Sequence, residues 1–565
     1  METCKFSGAD SIIRITDRKE KVYSFFAISL IFLKLSTTVL QKKGGNEMKE
    51  QKRQVNLVTA GLLLGLVLAS LDQTIVATAM PTITKEWAGL SLYSWVFAIY
   101  MLASTITMPI YGKLADLFGT RIVYLSGLAL FLAGSLLCGW SGSMMELITA
   151  RGVQGLGAGA LLPIAFTIVG ELYPPEQRGK FQGLFGAVFA LASMVGPTLG
   201  GIIVEKWDWG WIFFLNLPIG IPAFLLIALA WRGKTIRDKK PQIDWYGAIS
   251  LSAAVLAILL ALVIGGERHD AWGSWPVLGL FGTGLLLTGL FIWVESKAKE
   301  PLLPLSLFRI PAIGFGNIAG FFVSAALFGA IAYIPLFVQG VSGASPAEAG
   351  YMLTPLMLSV AVSSAIGGRL LAKASFRAIL VPSLVLIAIG FYLLGQLQAT
   401  TPNSQLLVSM IVTGLGMGAV FPALGTAAQS AVPPEARGVA MSTSQFFRSI
   451  GGTMGISVFG TILAWRMQAG MNEVSGMADS TLSAEQLAAL ADPKLLLDEQ
   501  LRSALAPESL AAVQHVFSEA LHGVFFSGML LIFISLAASM LLGRARLIEK
   551  EPRRSLSAKD RVPKA

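Results

Sequence analysis

Long apolar segments recur along almost the whole of this chain and constrain its fold more than any other feature. Each is about 20 residues long, the length that an α-helix needs to cross the hydrocarbon core of a bilayer. Only 13% of the 565 residues are charged, against about 25% in ordinary soluble domains. The pattern predicts an all-α polytopic membrane protein with about fourteen spans. We place the spans at residues 57–80, 92–111, 122–140, 146–170, 181–204, 211–231, 244–264, 275–294, 312–337, 348–372, 378–398, 405–431, 439–465 and 521–543.

The net charge of +10 does not indicate a nucleic-acid partner, because the basic residues are concentrated in alternate loops and in the C-terminal tail. Lysine and arginine cluster in every second loop, starting with the loop between spans 2 and 3, and again in the tail at residues 544–565. Basic loops of membrane proteins stay in the cytoplasm. Because the number of spans is even, both termini are expected to be cytoplasmic, in a protein of the cell membrane.

Residues 1–47 fit this arrangement poorly. A span within residues 22–40 would carry Lys34 near its middle and would invert the sidedness of every later loop. The codons of residues 43–45 can contain a bacterial ribosome-binding sequence, a few nucleotides before the codon of Met48. We therefore expect a bacterial protein whose translation begins at Met48, with residues 1–47 as an extension outside the native chain.

Two blocks of the sequence repeat each other without a gap. Residues 155–163 lead to residues 174–179, and residues 414–422 lead to residues 433–438 with the same glycine spacing, proline and charged loop. Repeated halves are typical of secondary transporters. The first block joins spans 4 and 5 and the second joins spans 12 and 13, so the spans divide as six, two and six. The predicted parts are an N-terminal lobe at 48–232, two inserted spans at 243–295, and a C-terminal lobe at 312–543 that includes an outer loop with two helices at 468–521.

Motifs in five of these segments resemble those of one transporter family. They are residues 71–81 in span 1, residues 112–121 after span 2, residues 151–157 in span 4, Gly186 with residues 196–201 in span 5, and residues 211–220 in span 6. Over residues 56–542 the chain resembles the major facilitator superfamily, and within it the fourteen-spanner drug:proton antiporters of the QacA/EmrB type. The resemblance implies two pseudo-symmetric helical lobes that exchange protons for amphipathic compounds, and no enzymatic activity.

Asp72 is the acidic residue that lies deepest in the early spans. An isolated carboxylate in hydrocarbon is costly, so Asp72 should face the interior of the bundle and either pair with a cation or take up a proton. The resemblance makes Arg151 in span 4 its partner and implies that the pair couples transport to protons. A fixed structural ion pair is the alternative.

The antiporter motif of span 5 comprises Gly186, Gly196, Pro197, Gly200 and Gly201. Proline and glycine weaken a helix in water, but in a membrane bundle small residues let neighbouring helices approach closely. We expect a tightly packed, kinked helix. The repeat aligns Gly196 with Gly455 without a second proline, so the kink should be specific to the first half.

The loop after span 2 is predicted to latch the two halves in the outward-facing state, as the resemblance implies. Its residues are Gly112, Lys113, Asp116, Gly119 and Arg121. A carboxylate at such a junction can cap a helix N-terminus and bridge to an arginine. The equivalent loop of the second half has Ala372 in place of the aspartate, so the latch should be one-sided.

Aromatic, methionine and polar side chains in spans 5, 9 and 13 are candidates for an adaptable substrate cavity. They are Phe189, Met194, Phe322, Tyr333, Gln445 and Arg448. Arginine cannot usefully release its proton, so Arg448 could anchor an anion, tune a carboxylate or serve only the structure. Few acids lie deep in the spans, which weakens the case for a dedicated polycation exporter and gives neutral or zwitterionic amphiphiles at least equal weight.

The glycines at 155, 157 and 159 do not form a nucleotide-binding loop, because no strand precedes them and no Walker lysine motif follows. The three histidines show no spacing typical of metal ligands. We therefore expect no metal and no cofactor. The resemblance implies a proton gradient as the energy source, and we also expect a monomer in the bilayer. A dedicated exporter of one metabolite or lipid, a nutrient symporter and a non-transporting sensor remain the alternatives.

Overall fold

The computed structural model describes residues 47–87, 92–231, 243–267, 272–341, 352–398, 401–475 and 507–542. In these ranges the chain folds into fourteen long α-helices and contains no β-strand. A short helix at Trp211–Phe214 leads into the sixth. The long helices are α1 (Glu47–Trp87), α2 (Tyr93–Phe118), α3 (Thr120–Trp140), α4 (Met144–Leu172), α5 (Pro175–Lys206), α6 (Asn216–Ala230), α7 (Trp245–Glu267), α8 (Trp275–Lys297), α9 (Pro311–Gly340), α10 (Thr354–Leu370), α11 (Phe376–Leu394), α12 (Asn403–Ser430), α13 (Arg437–Ser475) and α14 (Pro507–Met540).

Thirteen segments of the described chain are long and apolar enough to cross a membrane, with the short helix and α6 taken as one. The fourteenth helix, α10, has 17 residues and lies where the tenth span is predicted. The prediction of an all-α fold with about fourteen spans is confirmed. Several helices are longer than predicted, because polar turns at their ends continue the helix beyond the apolar segment.

The helices form two lobes with the same packing pattern. In the N-terminal lobe α1 packs on α5 and α6, while α2 and α3 pack on α4. In the C-terminal lobe α9 packs on α13 and α14, while α10 and α11 pack on α12. Each lobe has its own buried apolar core. This correspondence is the structural counterpart of the sequence repeat.

The two inserted helices lie beside the junction of the lobes. α7 and α8 pack against each other, and α7 also contacts α2 of one lobe and α13 of the other. A shared apolar cluster includes Leu102 of α2, Leu259 of α7 and Phe446 of α13. The insertion therefore adds to the side of the two-lobed bundle without separating its halves.

The prediction of a separate helix near Pro507 on the outer surface is wrong. Pro507 begins α14, which continues without a break to Met540. Val513, Phe517 and Leu521 on its first turns are buried in the core of the C-terminal lobe, so its amphipathic pattern marks a core-facing helix. Three other predicted parts lie outside the described residues. They are the first helix of that loop, the basic tail, and residues 1–46, on which the start-site prediction depends.

Candidate functional site

Asp72 and Arg151 meet in the interior of the N-terminal lobe. Arg151 Nη1 on α4 donates to Asp72 Oδ2 on α1 at 2.7 Å. The two side chains are 0% and 1% exposed. An unpaired charge inside a membrane protein is costly, and pairing offsets that cost. The structure thus brings together the two residues that the sequence singled out.

Two amides complete the surroundings of Asp72. Gln154 Nε2 donates to Asp72 Oδ1 at 2.7 Å, and Asn216 Nδ2 donates to the same oxygen at 3.0 Å. Arg151 Nη1 also donates to Gln154 Oε1 at 2.8 Å. Sequence reasoning missed both amides as site residues. The available signal was the spacing of Gln154 three residues after Arg151, which puts both on one helix face.

Further contacts extend this network to two more helices. Asn216 Nδ2 donates to Ser135 Oγ of α3 at 2.8 Å, and Ser135 Oγ donates to the carbonyl oxygen of Phe213 at 2.9 Å. The guanidinium carbon of Arg151 lies 4.1 Å from the ring centroid of Tyr100 on α2. Asp72, Arg151, Gln154, Asn216 and Ser135, hereafter the Asp72 network, are all buried. A buried polar network of this kind fixes the relative positions of the helices that contribute to it.

The glycines of the antiporter motif bring α5 close to the helix that carries Asp72. A Cβ atom at Gly196 would lie 2.0 Å from Thr74 Oγ1, and one at Gly200 would lie 2.1 Å from Thr78 Oγ1. A larger residue at either position would require at least these threonine side chains to move. Gly186 instead faces the other lobe, where its Cβ would lie 2.3 Å from Ser364 Oγ.

One expectation for this motif needs correction. A Cβ atom at Gly201 would meet no atom within 4 Å, because this position is exposed, so close packing does not explain that glycine. The helix α5 continues through Pro197, from Pro175 to Lys206, and the kink at Pro197 stays a prediction. Pro197 is itself exposed.

Asp116 caps a helix of the opposite lobe. Its Oδ1 accepts a hydrogen bond from the backbone N–H of Gly438, and its Oδ2 accepts one from that of Val439, both at 2.8 Å. These groups belong to the first turn of α13, where backbone N–H groups have no partner within the helix and the helix dipole favours an anion. The carboxylate therefore joins α2 of the N-terminal lobe to α13 of the C-terminal lobe.

The other residues of the predicted latch surround this cap. A Cβ atom at Gly112 would lie 1.8 Å from Ser442 Oγ of α13. Gly119, with a φ of 93°, forms the turn between α2 and α3 in a conformation that favours glycine. Lys113 is half-buried and adds positive charge near Asp116. The predicted arginine bridge is wrong, because Arg121 Nη2 donates to the carbonyl oxygen of Ala228 on α6 at 2.5 Å.

Further hydrogen bonds join the lobes at the end of the molecule that carries Asp116. Thr426 Oγ1 of α12 donates to Gln182 Oε1 of α5 at 2.7 Å. Ser364 Oγ of α10 donates to the carbonyl oxygen of Gly183 at 2.9 Å. Gln429 Nε2 of α12 donates to a carbonyl oxygen of α4 at 3.0 Å. This end is closed in the structure.

The six predicted cavity residues lie on α5, α9 and α13. Phe189 packs against the core of the N-terminal lobe, and its carbonyl oxygen accepts a hydrogen bond from Ser70 Oγ at 2.8 Å. Tyr333 is buried and donates to the carbonyl oxygen of Ile456 at 3.0 Å. Arg448 lies over the ring of Phe421. The others, Met194, Phe322 and Gln445, are half-buried.

Within the described ranges no group of three or more histidine, cysteine, aspartate or glutamate side chains could hold a metal ion.

Comparison with known proteins places the chain among membrane transporters. A profile described as Major Facilitator Superfamily matches residues 62–456. The multidrug transporter protein MdtP of Bacillus subtilis is 39% identical over 525 residues, which cover 90% of this chain and 96% of MdtP. Multidrug resistance protein 3 of the same organism is 37% identical over 498 residues, 88% of this chain and 97% of that protein. The crystal structure of the human organic anion transporter MFSD10 matches with a TM-score of 0.56 and 16% identity, over 85% of this chain and 99% of that one.

Proposed function

The chain belongs to the major facilitator superfamily, and on that premise we propose that it exports small amphipathic compounds, drugs among them, in exchange for protons. It is a multi-pass membrane transporter and not an enzyme. Two relatives that carry the word multidrug in their names support the export of drugs. The Asp72 network supports the coupling to protons.

The arrangement of donors around Asp72 is the observation that carries this function. Both carboxylate oxygens accept N–H donors, which suits the charged form of the side chain. A proton on either oxygen would compete with these donors and would remove the charge that compensates Arg151. Arg151 cannot release a proton in its place. We therefore expect protonation of Asp72 to rearrange the network.

A rearrangement at Asp72 has a direct physical route to the contact between the lobes. Asp72 lies on α1 two residues before Thr74, against which Gly196 of α5 is packed. The same helix α5 reaches the C-terminal lobe at Gly183 and Gly186. A shift of α1 would therefore move α5 relative to α10. Through this movement of α5 against α10, uptake of a proton at Asp72 would change the side of the membrane to which the cavity opens.

The closed end of the molecule is proposed to face the cytoplasm, together with both termini. Basic side chains gather there, and positive residues are retained on the cytoplasmic side of membrane proteins. They include Arg121, Arg178, Arg369, Lys373, Arg377 and Arg437. In this orientation the structure is shut towards the cytoplasm. Export then requires the α2–α13 and α5–α10 contacts to open so that substrate can enter.

Replacing Asp72 with asparagine tests the proton-coupled step. In proteoliposomes with an imposed pH gradient, Asp72→Asn is expected to lower gradient-driven dye transport by roughly a hundredfold, because an amide cannot exchange a proton in this range. Transport is measured with a panel of chemically different dyes. Transport of many dyes by the unaltered chain indicates a multidrug exporter, whereas transport of one indicates a dedicated exporter.

Two further variants separate loss of coupling from loss of folding. Asp72→Asn leaves Arg151 without its counter-charge, which can destabilise a buried site by about 3–5 kcal/mol. The double variant Asp72→Asn with Arg151→Gln restores neutrality and should fold, yet still lack gradient-driven transport. Glu205→Gln, an exposed position on α5, controls for the loss of one negative charge. Normal gradient-driven transport by either Asp72 variant would exclude Asp72 as the proton carrier.

A further inference from the structure

Arg448 is a cation inside the C-terminal lobe that has no anionic partner among the residues the structure describes. Its guanidinium carbon lies 3.7 Å from the ring centroid of Phe421 on α12. Its aliphatic stem passes Gly320 of α9, where a Cβ atom would lie 3.3 Å from Arg448 Cγ. The side chain is therefore positioned by three helices, since Arg448 itself belongs to α13. A guanidinium fixed in this way has little freedom to move towards the membrane surface.

No carboxylate of the described residues pairs with this guanidinium. The Nε atom of Arg448 is buried and has no hydrogen-bond partner among the described residues, whereas Arg151 of the other lobe pairs with Asp72. Contact with an aromatic ring offsets part of the cost of burying a cation but supplies no hydrogen-bond acceptor. Arg151 of the N-terminal lobe thus has a carboxylate partner, whereas Arg448 of the C-terminal lobe has none among the described residues.

The position of Arg448 suits a ligand between the lobes. It lies about three turns, roughly 16 Å, from the start of α13, near the middle of a hydrocarbon core about 30 Å thick. The next residue, Ser449, is in hydrogen-bond contact with Thr105 of the N-terminal lobe at 2.6 Å between their Oγ atoms. Part of the Arg448 side chain remains accessible. Secondary transporters bind substrate near the midplane, at the interface of their repeats.

From these observations we propose that Arg448 binds an anionic group of the transported compound, a carboxylate or a sulfonate. The substrates are then anionic or zwitterionic amphiphiles, whose acidic group supplies the acceptor that Arg448 lacks. Guanidinium groups bind such oxyanions through two parallel N–H donors, which gives strength and direction. The apolar part of the substrate would lie against the aromatic and aliphatic side chains nearby. This inference rests on the proposed export function and names its substrate class.

A pair of dyes that differ only in a carboxylate tests this site. Rhodamine 110 has a free carboxylate, and rhodamine 123 is its methyl ester. We expect Arg448→Gln to raise the KM for rhodamine 110 at least about tenfold, while the KM for rhodamine 123 changes by less than about twofold. Arg448→Lys keeps the charge but not the bidentate geometry, so it should recover part of the loss. Equilibrium binding of both dyes, by fluorescence anisotropy, is measured on the same purified full-length chains.

The controls distinguish this site from lipid binding, from misfolding and from failure of the export function. Arg466→Gln makes the same change at an exposed position of α13 and should leave both dyes unaffected. If Arg448 binds a lipid phosphate or only supports the structure, Arg448→Gln will weaken both dyes equally, and the inference is overturned. If the chain transports neither dye, the anisotropy measurement still decides whether Arg448 discriminates between them. Gradient-driven transport that persists in Asp72→Asn overturns proton coupling alone and leaves the anion site standing.

Discussion

Two helix pairs close the same end of the molecule, and they use different chemistry. In the α2–α13 pair, the carboxylate of Asp116 accepts two backbone N–H groups at the start of a helix. In the α5–α10 pair, glycines bring the backbones into direct contact. A Cβ atom at Gly183 would lie 2.3 Å from the carbonyl oxygen of Ser364, and one at Gly368 would lie 2.4 Å from that of Gly179. The repeat makes α2 equivalent to α10 and α5 equivalent to α13, so the two pairs occupy equivalent places in the fold and differ only in how they make contact.

The comparison separates a contact that charge can modulate from one made by close glycine backbones and a neutral hydrogen bond from Ser364 Oγ to the carbonyl oxygen of Gly183. Hydrogen bonds to a charged group contribute about 1.5–3 kcal/mol each, and they are weakened when the carboxylate loses its charge. A close approach of two helices has no such dependence, because it is abolished only by adding atoms. We therefore expect the α5–α10 contact to decide whether this end can close, and the α2–α13 contact to decide how readily it opens.

The largest effect is expected from filling the space between α5 and α10. Gly183→Val would place side-chain atoms against the backbone of α10, a clash that no rotamer change can relieve. The cost should reach or exceed the upper end of the roughly 1–3 kcal/mol typical of overpacking, and transport should fall by about a hundredfold. Distances between spin labels on the two lobes should show that this end no longer closes.

Gly201→Val is the matched control on the same helix. A Cβ atom at this position meets no atom within 4 Å, so the same substitution should alter transport by less than about twofold. Equal losses in both variants would mean that valine damages α5 itself. Normal transport and normal closure in Gly183→Val would show that the glycine contact is not required.

A smaller effect is expected from Asp116→Asn. The asparagine oxygen can still accept one backbone N–H, but its amide nitrogen would face the other and the negative charge at the helix N-terminus is lost. A loss of about 1–2 kcal/mol should slow transport roughly tenfold. Dye affinity at equilibrium should change much less, because Asp116 lies at the end of the lobe contact rather than near its middle.

Glu176→Gln controls for the loss of a carboxylate at the same end. Glu176 lies in the first turn of α5 and is exposed. We expect its transport rate to stay within about twofold of the unaltered chain. An Asp116→Asn variant that transports as fast as Glu176→Gln would rule out a latch role for Asp116.

The sequence predicted the parts of this structure that follow from strong physical costs. Apolar length determines the spans. The cost of an unpaired buried charge predicted that Asp72 would face the interior and pair or take up a proton, and the family resemblance identified Arg151 as its partner. Gln154 and Asn216 were missed because neutral amides impose a smaller cost and so give a weaker signal. The partners of Asp116 are backbone N–H groups. Every residue but proline has one, so the sequence does not indicate which of them Asp116 contacts. Gly201 was predicted to be packed because it belongs to the motif, but a Cβ atom there would meet no neighbour. Membership of a motif therefore does not by itself predict packing.

The smallest effect is expected from a neutral side-chain contact between the lobes. Thr426→Val removes the hydroxyl that donates to Gln182 Oε1 at 2.7 Å and also approaches the carbonyl oxygen of Pro422. A neutral hydrogen bond contributes about 0.5–1.5 kcal/mol, so transport should slow by about twofold to fivefold. The measurement is the initial rate of gradient-driven dye transport, compared at equal amounts of folded protein.

The repeat supplies the control for this variant. Thr167 on α4 occupies the position equivalent to Thr426, is equally buried, and donates to the carbonyl oxygen of Pro163 at 2.9 Å within its own helix. Thr167→Val therefore removes the same hydroxyl without breaking a contact between the lobes. If both variants slow transport equally, the loss reflects the hydrogen bond within the helix. Slower transport in Thr426→Val alone would assign the difference to the lobe contact, and would show that even its neutral hydrogen bonds contribute to closing this end.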